Sequence, residues 1–193
     1  MPPTLLLIRH GQTLANAQGR MHDTDLGLTP EGFRQAQALV PHCQTYGIGH
    51  ILCSTAQRAI QTAQPIADAL NLPTQTTPLL LERNWGAWSG LPWAEVQKHL
   101  DGLTLEERFL FRPPAGESWA DLEQRLNMVQ KMLIPTPTAI VAHGGCLRAW
   151  IPLLLHQPRE TSFRYDLPNG GFLVLKGESD RFISNGETAP VVG

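Results

Sequence analysis

The sequence predicts an α/β fold: three layers, α/β/α, around a mostly parallel mixed sheet. Two observations carry this. Short continuous apolar runs, such as Leu5-Leu6-Leu7-Ile8 and Ala139-Ile140-Val141-Ala142, have the length and texture of strands buried on both faces. Segments with apolar residues at helical spacing alternate with them, the order that builds parallel sheets covered by helices. A third observation makes the sheet mixed: the last two strand signals are close enough to form a hairpin, which adds antiparallel pairing. At 193 residues the expectation is a single domain over 1–193.

Leu5 to Ile8 opens the sheet and delivers Arg9-His10-Gly11 to its C-terminal end. Residues 11–28 are polar and contain glycine, which predicts a long loop, and long loops in compact domains are often functional. Thr29-Pro30 supplies an N-cap and a proline at the first helical position, with Phe33, Ala36, Leu39 and Val40 following at helical spacing. His50 to Ser54 is a second strand. Ala56 to Leu70 is an amphipathic helix in which Pro65 is expected to bend or divide the backbone. Thr74 to Glu82 predicts a third strand ending in Leu79-Leu80-Leu81.

After turn-rich residues 83–92, short helices are expected over Trp93–Leu100 and Leu105–Phe111, stopped by Pro113-Pro114. Ser118 and Asp121 make a near capping box for a helix whose buried stripe is Trp119, Leu122, Leu126, Val129 and Leu133. Ala139 to Ala142 is the fourth strand, followed by a helix through Leu155. Gly171 to Leu175 and Arg181 to Ser184 form the closing hairpin around Gly177 to Asp180.

Composition narrows the function classes. The chain is 42% apolar and 17% charged with a net charge of −2, which argues against binding to nucleic acid or to a membrane surface. Cys43, Cys53 and Cys146 give neither a disulfide framework nor zinc-ligand spacing, so the expectation is buried thiols in a reducing, cytoplasmic setting. The four apolar residues before Arg9 fall short of a secretory h-region of about 7–15 residues.

The chemistry concentrates at strand ends. His10, Ser54, Glu82 and His143 each follow or close a predicted strand, and ligands in open α/β sheets bind at that edge. Arg9 and Arg58 can clamp the oxygens of a phosphate monoester, with His143 adding a hydrogen bond. This positive cluster favours a neutral imidazole at His10, leaving a ring nitrogen to attack phosphorus. Glu82 can protonate the departing alkoxide and then activate the water that cleaves the intermediate. A site this positive needs no metal and no cofactor for the transfer.

These segments resemble the histidine phosphatase superfamily, the group that includes cofactor-dependent phosphoglycerate mutase. Arg9-His10-Gly11-Gln12-Thr13, with Asn16 behind it, is similar to the family signature. Leu28-Thr29-Pro30-Glu31-Gly32 with Gln35-Ala36, Ser54 through Ala63, Glu82 through Gly90, Pro113 through Ser118, and Val141 through Gly145 follow in the family's order. Two departures stand out: Thr55 in place of a frequent proline, and Ser89 in place of a frequent glutamate. The resemblance implies that His10 is phosphorylated, that Glu82 is the proton donor, and that Arg9, Arg58 and His143 hold phosphate. It also implies one antiparallel strand in the sheet, and it puts Gln12, Thr13, Asn16 and Gly144 at the substrate, with His22 in a loop that often lines the pocket.

Mutases of this family usually carry a long insertion after the Glu segment. Only 34 residues separate Glu82 from Glu117 here, which favours hydrolysis over mutase activity. The expected enzyme is therefore a phosphomonoesterase of the histidine acid phosphatase type acting on a small phosphorylated metabolite. The substrate's alcohol and the oligomeric state are not legible.

Rival readings are weaker. Asp23-Thr24-Asp25 follows a polar loop where an aspartate-based phosphatase needs a hydrophobic strand. Gly116-Glu117-Ser118-Trp119-Ala120 lacks the preceding strand of a serine-hydrolase elbow, and no histidine follows Asp166. A zinc site from His10, His22 and His143 is a further arrangement these residues allow, although phosphate recognition accounts better for the arginines. A non-catalytic binding module on the same fold would be expected to lose the nucleophile or the acid. Trp85, Trp88, Trp93, Phe109 and Phe111 fit either a pocket mouth or core packing.

Overall fold

The computed structural model describes residues 3–20, 26–178 and 181–189, with residues 178 and 181–189 described by backbone alone. Among the described residues six strands form one sheet: β1 (Leu5–Arg9), β2 (His50–Ser54), β3 (Thr74–Thr77), β4 (Thr138–Ala142), β5 (Phe172–Glu178) and β6 (Arg181–Ala189). Their spatial order is β3-β2-β4-β1-β5-β6. β1, β4, β2 and β3 pair in parallel, while β5 is antiparallel to both β1 and β6. One described strand, β5, therefore runs against the other five.

Side-chain alternation builds the layers. Leu5, Leu7, Leu52 and Ile140 point to one face, where they pack against α7 (Trp119–Gln130) and α8 (Gly144–Leu154) through Leu122, Leu126, Val129, Leu147 and Ile151. Leu6, Ile8, Ile51, Cys53, Ala139 and Val141 point to the other face. There they meet Leu39, Cys43, Ala59, Ala63 and Ile66, contributed by α2 (Pro30–Ala38), α3 (Val40–Thr45), α4 (Gln57–Leu70) and the Leu39 junction between α2 and α3. Both sheet faces are covered, so continuous apolar runs replace simple apolar–polar alternation in the sequence.

The expected elements are largely in place, and the differences have physical reasons. The polar loop after β1 contains a one-turn helix, α1 (Leu14–Ala17), stabilised by a capping box between Thr13 and Asn16. It is too short to leave a periodic signature. β3 stops at Thr77, because Pro78 cannot donate to a ladder and instead opens a 3-10 turn over Pro78–Leu80. Glu82 thus lies five residues beyond its strand. α4 runs undivided through Pro65, and its buried face of Ala59, Ala63, Ile66 and Ala67 offsets the missing backbone bond. The capping box at Ser118 and Asp121 forms as expected, and α7 ends before Leu133. Two short helices, α5 (Trp93–Leu100) and α6 (Leu105–Leu110), occupy the connection to α7. β5 and β6 extend beyond their expected ends, and Ser179 and Asp180 of the predicted turn lie outside the described residues. Among the described residues no helix is long and apolar enough to cross a membrane.

The topology fixes where side chains converge. β4 lies between β1 and β2, with Arg9 opposite Ala142 and Cys53 opposite Val141. The carboxyl ends of β1, β4 and β2 therefore release His10, His143 and Ser54 side by side.

Candidate active site

His10 continues β1, its backbone N–H donating to Ala142 O at 3.0 Å. Its own carbonyl is held by Gly170 N and by Asn169 Nδ2, each at 3.1 Å. The ring is 2% exposed, and Nδ1 lies 2.7 Å from Gly11 O. A carbonyl only accepts, so Nδ1 carries the hydrogen, and in the neutral ring the lone pair resides on Nε2. Gly11 is fixed in turn: its N–H donates to Thr62 Oγ1 at 3.0 Å, and Thr62 donates to Arg58 O at 2.7 Å. Glycine is required here, since a Cβ at position 11 would stand 2.4 Å from Gly32 O.

His143 follows β4, fully buried, with its ring centroid 5.1 Å from that of His10. Arg58, in the first turn of α4, donates through Nε to His143 Nδ1 at 3.2 Å. Guanidinium only donates, so Nδ1 accepts and Nε2 carries the hydrogen, which it gives to Ser54 Oγ at 2.8 Å. The sequence reading gives His143 a phosphate hydrogen bond. Its ring nitrogens also engage Arg58 and Ser54, contacts that orient the arginine.

Arg9 lays its guanidinium along Gly144, where a Cβ would stand 3.3 Å from Cζ, and Nη1 donates to Leu167 O at 2.7 Å. Burial pulls the Arg9 pKa below the ordinary guanidinium value, against the raising influence of Glu82 and Asp166.

Glu82 meets the next residues of the same segment. Its carboxylate accepts from Gly145 N and Cys146 N at 3.0 Å each, in the first turn of α8, and from Arg83 N at 2.8 Å. A helix N-terminus is a natural seat for a carboxylate. The approach again demands glycine: a Cβ at position 145 would stand 2.5 Å from Glu82 Oε1. The backbone around Glu82 is shaped by Arg125, which donates to Leu79 O at 2.6 Å and Leu81 O at 2.9 Å and grips Glu117 with two parallel bonds of 3.0 and 2.9 Å. Arg83 is buried over the Trp85 ring at 4.3 Å, and burial lowers its pKa to about 10.

All five expected catalytic residues thus meet at residues 142–146. The expected binding residues divide. Gly144 makes room for Arg9. Gln12 spends its side-chain carbonyl on Thr29 Oγ1 at 2.9 Å. Thr13 is fully buried and caps α1, and Asn16 Oδ1 accepts from Thr13 N, Thr13 Oγ1 and Asn169 Nδ2. These three build the loop that carries His10. His22 lies outside the described residues. Among the described residues no group of three His, Cys, Asp or Glu side chains is placed to hold a metal ion. Of the aromatic residues, Phe109 belongs to the main core, while Trp88 stacks on His99 and Phe111 in a smaller cluster beside Trp85, Val96 and Leu100.

Sequence reasoning left out Thr62, Asn169, Arg83 and Arg125. Thr62 stands four residues after Arg58, the spacing at which a helical threonine bonds back to a carbonyl. The others act across long sequence separations that no local pattern reports.

Two neighbouring imidazoles, an arginine on His143, another along Gly144 and a carboxylate on the adjoining helix end are the groups of a phosphoryl-transfer enzyme built on an α/β sheet. Residues 5–186 match the family model described as the histidine phosphatase superfamily (branch 1), and the chain belongs to that family. The histidine acid phosphatases are a different family, so that expected type is set aside. A probable phosphoglycerate mutase GpmB from Yersinia pestis is 34% identical over 178 residues, covering 84% of this chain and 80% of the relative. A mycobacterial glucosyl-3-phosphoglycerate phosphatase solved with VO3 aligns over 95% of this chain and 97% of its own, with 28% identity and a TM-score of 0.84. A phosphoserine phosphatase from Entamoeba histolytica aligns over 95% of each chain, with 25% identity and a TM-score of 0.78.

Proposed function

We propose that this protein is a metal-independent phosphomonoester hydrolase that forms a phosphohistidine at His10 and acts on a small phosphorylated metabolite. The observation that carries the reading is the 2.7 Å bond from His10 Nδ1 to Gly11 O, which assigns the lone pair to Nε2. Nε2 attacks phosphorus, the bond to the alcohol oxygen breaks, and Glu82 gives that oxygen its proton. Arg9 and Arg58 balance the charge on the transferring group, with His143 holding Arg58 in place. Water then attacks the phosphohistidine and loses a proton to Glu82. Inorganic phosphate leaves, and both side chains return to their starting forms.

The relatives' names support small phosphorylated hydroxy acids as the substrate class, since phosphoglycerate and phosphoserine are both of this kind. A second reading, transfer of the phosphoryl group back to a sugar acid as in a mutase, is favoured by the phosphoglycerate mutase relative. The short connection from Glu82 to Glu117 supports hydrolysis instead. Comparing wild type with His10→Ala on nitrophenyl phosphate, with and without chelator, tests the proposal. Hydrolysis that survives chelator and vanishes in the variant supports it. Loss of activity on chelation contradicts the metal-free scheme, and equal activity in the two proteins contradicts the role of His10.

A further inference from the structure

The hydrolase reading leaves the alcohol half of the substrate open, and a second arginine beside Arg9 bears on it. Arg148 stands one helical turn after Gly144 on α8, so the two positions share a face. That face is covered at Gly144 by the Arg9 guanidinium. Arg148 is close enough to lower the Arg9 pKa, behind the larger effect of burial. Two guanidinium groups thus lie along one side of the helix that starts after His143.

One acidic segment answers both. Asp166 Oδ1 accepts from Arg148 Nη2 at 2.5 Å, and the next residue's carbonyl, Leu167 O, takes the bond from Arg9. The ion pair is lopsided. The Arg148 side chain is 26% exposed and that of Asp166 is 71% exposed, so the acid sits on the solvent side of an arginine that the protein holds. Among the described residues, Arg148 Nε and Arg9 Nε are both buried without a hydrogen-bond partner.

We propose that Arg148 binds a carboxylate on the substrate's alcohol half. The phosphoryl group lies against Arg9, the carboxylate takes the fork of Arg148, and the exposed Asp166 side chain gives way to it. A bidentate carboxylate matches the guanidinium geometry, and an exposed ion pair is easily exchanged. The assignment rests on the hydrolase reading and specifies its substrate class as phosphomonoesters of hydroxy acids.

O-phosphoserine and O-phosphoethanolamine differ only in the carboxylate. The ratio of their kcat/KM values, measured on one preparation, is independent of the fraction of folded protein, so a partly unfolded variant still reports. The wild type is expected to prefer phosphoserine by about tenfold or more, the scale of one charge-assisted hydrogen bond. Arg148→Gln brings the ratio close to one, and Asp166→Asn raises it by removing the competitor. A wild-type ratio near one, or an unchanged ratio in Arg148→Gln, overturns the assignment while leaving the hydrolase reading intact. No hydrolysis of either ester or of nitrophenyl phosphate overturns both.

Discussion

Arg58 Nε and His143 Nδ1 meet at 3.2 Å, and this contact fixes both partners. The arginine determines the tautomer of the imidazole, and the imidazole, anchored on Ser54, determines where the arginine points. An arginine on a helix is thereby tied to the strand beside that of His10. His143→Ala is expected to lower kcat/KM for nitrophenyl phosphate by roughly 10²–10³, comparable to the loss of one donor to a transition-state anion. His143→Asn keeps an acceptor near Nδ1 and should lose less. Equal losses in the two variants would show that the bond to Arg58 is not what matters.

Glu82 has to separate substrates by leaving group. Glu82→Gln should slow hydrolysis of alkyl phosphates by roughly 10²–10⁴, while nitrophenyl phosphate, whose alcohol departs without a proton, should suffer far less. Steady-state rates on both classes check this, and a uniform loss would remove the acid role.

Thr62 accepts from Gly11 N, and Gly11 O holds the His10 ring. Thr62→Val keeps the volume and removes the acceptor, so a buried N–H loses its partner at a cost of about 1–3 kcal/mol. The expected result is a lower melting temperature together with a fall in kcat that exceeds any change in KM. Thr62→Ser should restore most of both.

Gly145→Ala introduces a Cβ only 2.5 Å from Glu82 Oε1. The carboxylate must move, so this variant should reproduce the leaving-group selectivity of Glu82→Gln while remaining folded by circular dichroism. A variant with wild-type activity on alkyl phosphates would contradict the placement of Glu82.

The buried thiols set a pH limit on stability. Burial pushes Cys43 and Cys53 up to about 12, from an ordinary 9.0, and Cys146 is raised as well, chiefly by burial. Between pH 9 and 10 the unfolded chain releases thiol protons that the folded chain keeps, so stability falls as pH rises. The slope approaches about 1.4 kcal/mol per pH unit for each thiol. Arg83, lowered to about 10, acts in the opposite direction only above that pH. Urea titrations at pH 8, 9 and 10 should show the decline, and native thiols should resist alkylation at pH 8.

What the sequence disclosed follows from what is local. β1, β2 and β4 are legible because both faces of each are buried, so their apolar runs are unbroken. The Thr29 and Ser118 caps are legible because capping is a contact of three residues. Arg9, His10, Arg58 and His143 are legible as site candidates because each closes or follows a strand or opens a helix at the sheet's carboxyl edge, whereas Glu82 reaches that edge only after a 3-10 turn. Leu79-Leu80-Leu81 misleads because three leucines suit a strand as well as a turn that packs Leu79 and Leu80 on the core, and Pro78 is what decides. Gln12, Thr13 and Asn16 read differently: polar side chains beside His10 suggest substrate contacts, and their pairing with Thr29 and Asn169, which also shapes the loop, appears only in three dimensions. Asn169 holds His10 across 159 positions, a separation that leaves no trace in local pattern.

The central claim is that phosphorus bonds to Nε2 of His10. Rapid quenching during turnover, followed by peptide mapping and phosphorus NMR under alkaline conditions, tests it directly. The expected product is an acid-labile phosphohistidine at position 10, substituted on Nε2. A label on any other residue, or on Nδ1 of His10, would contradict the mechanism.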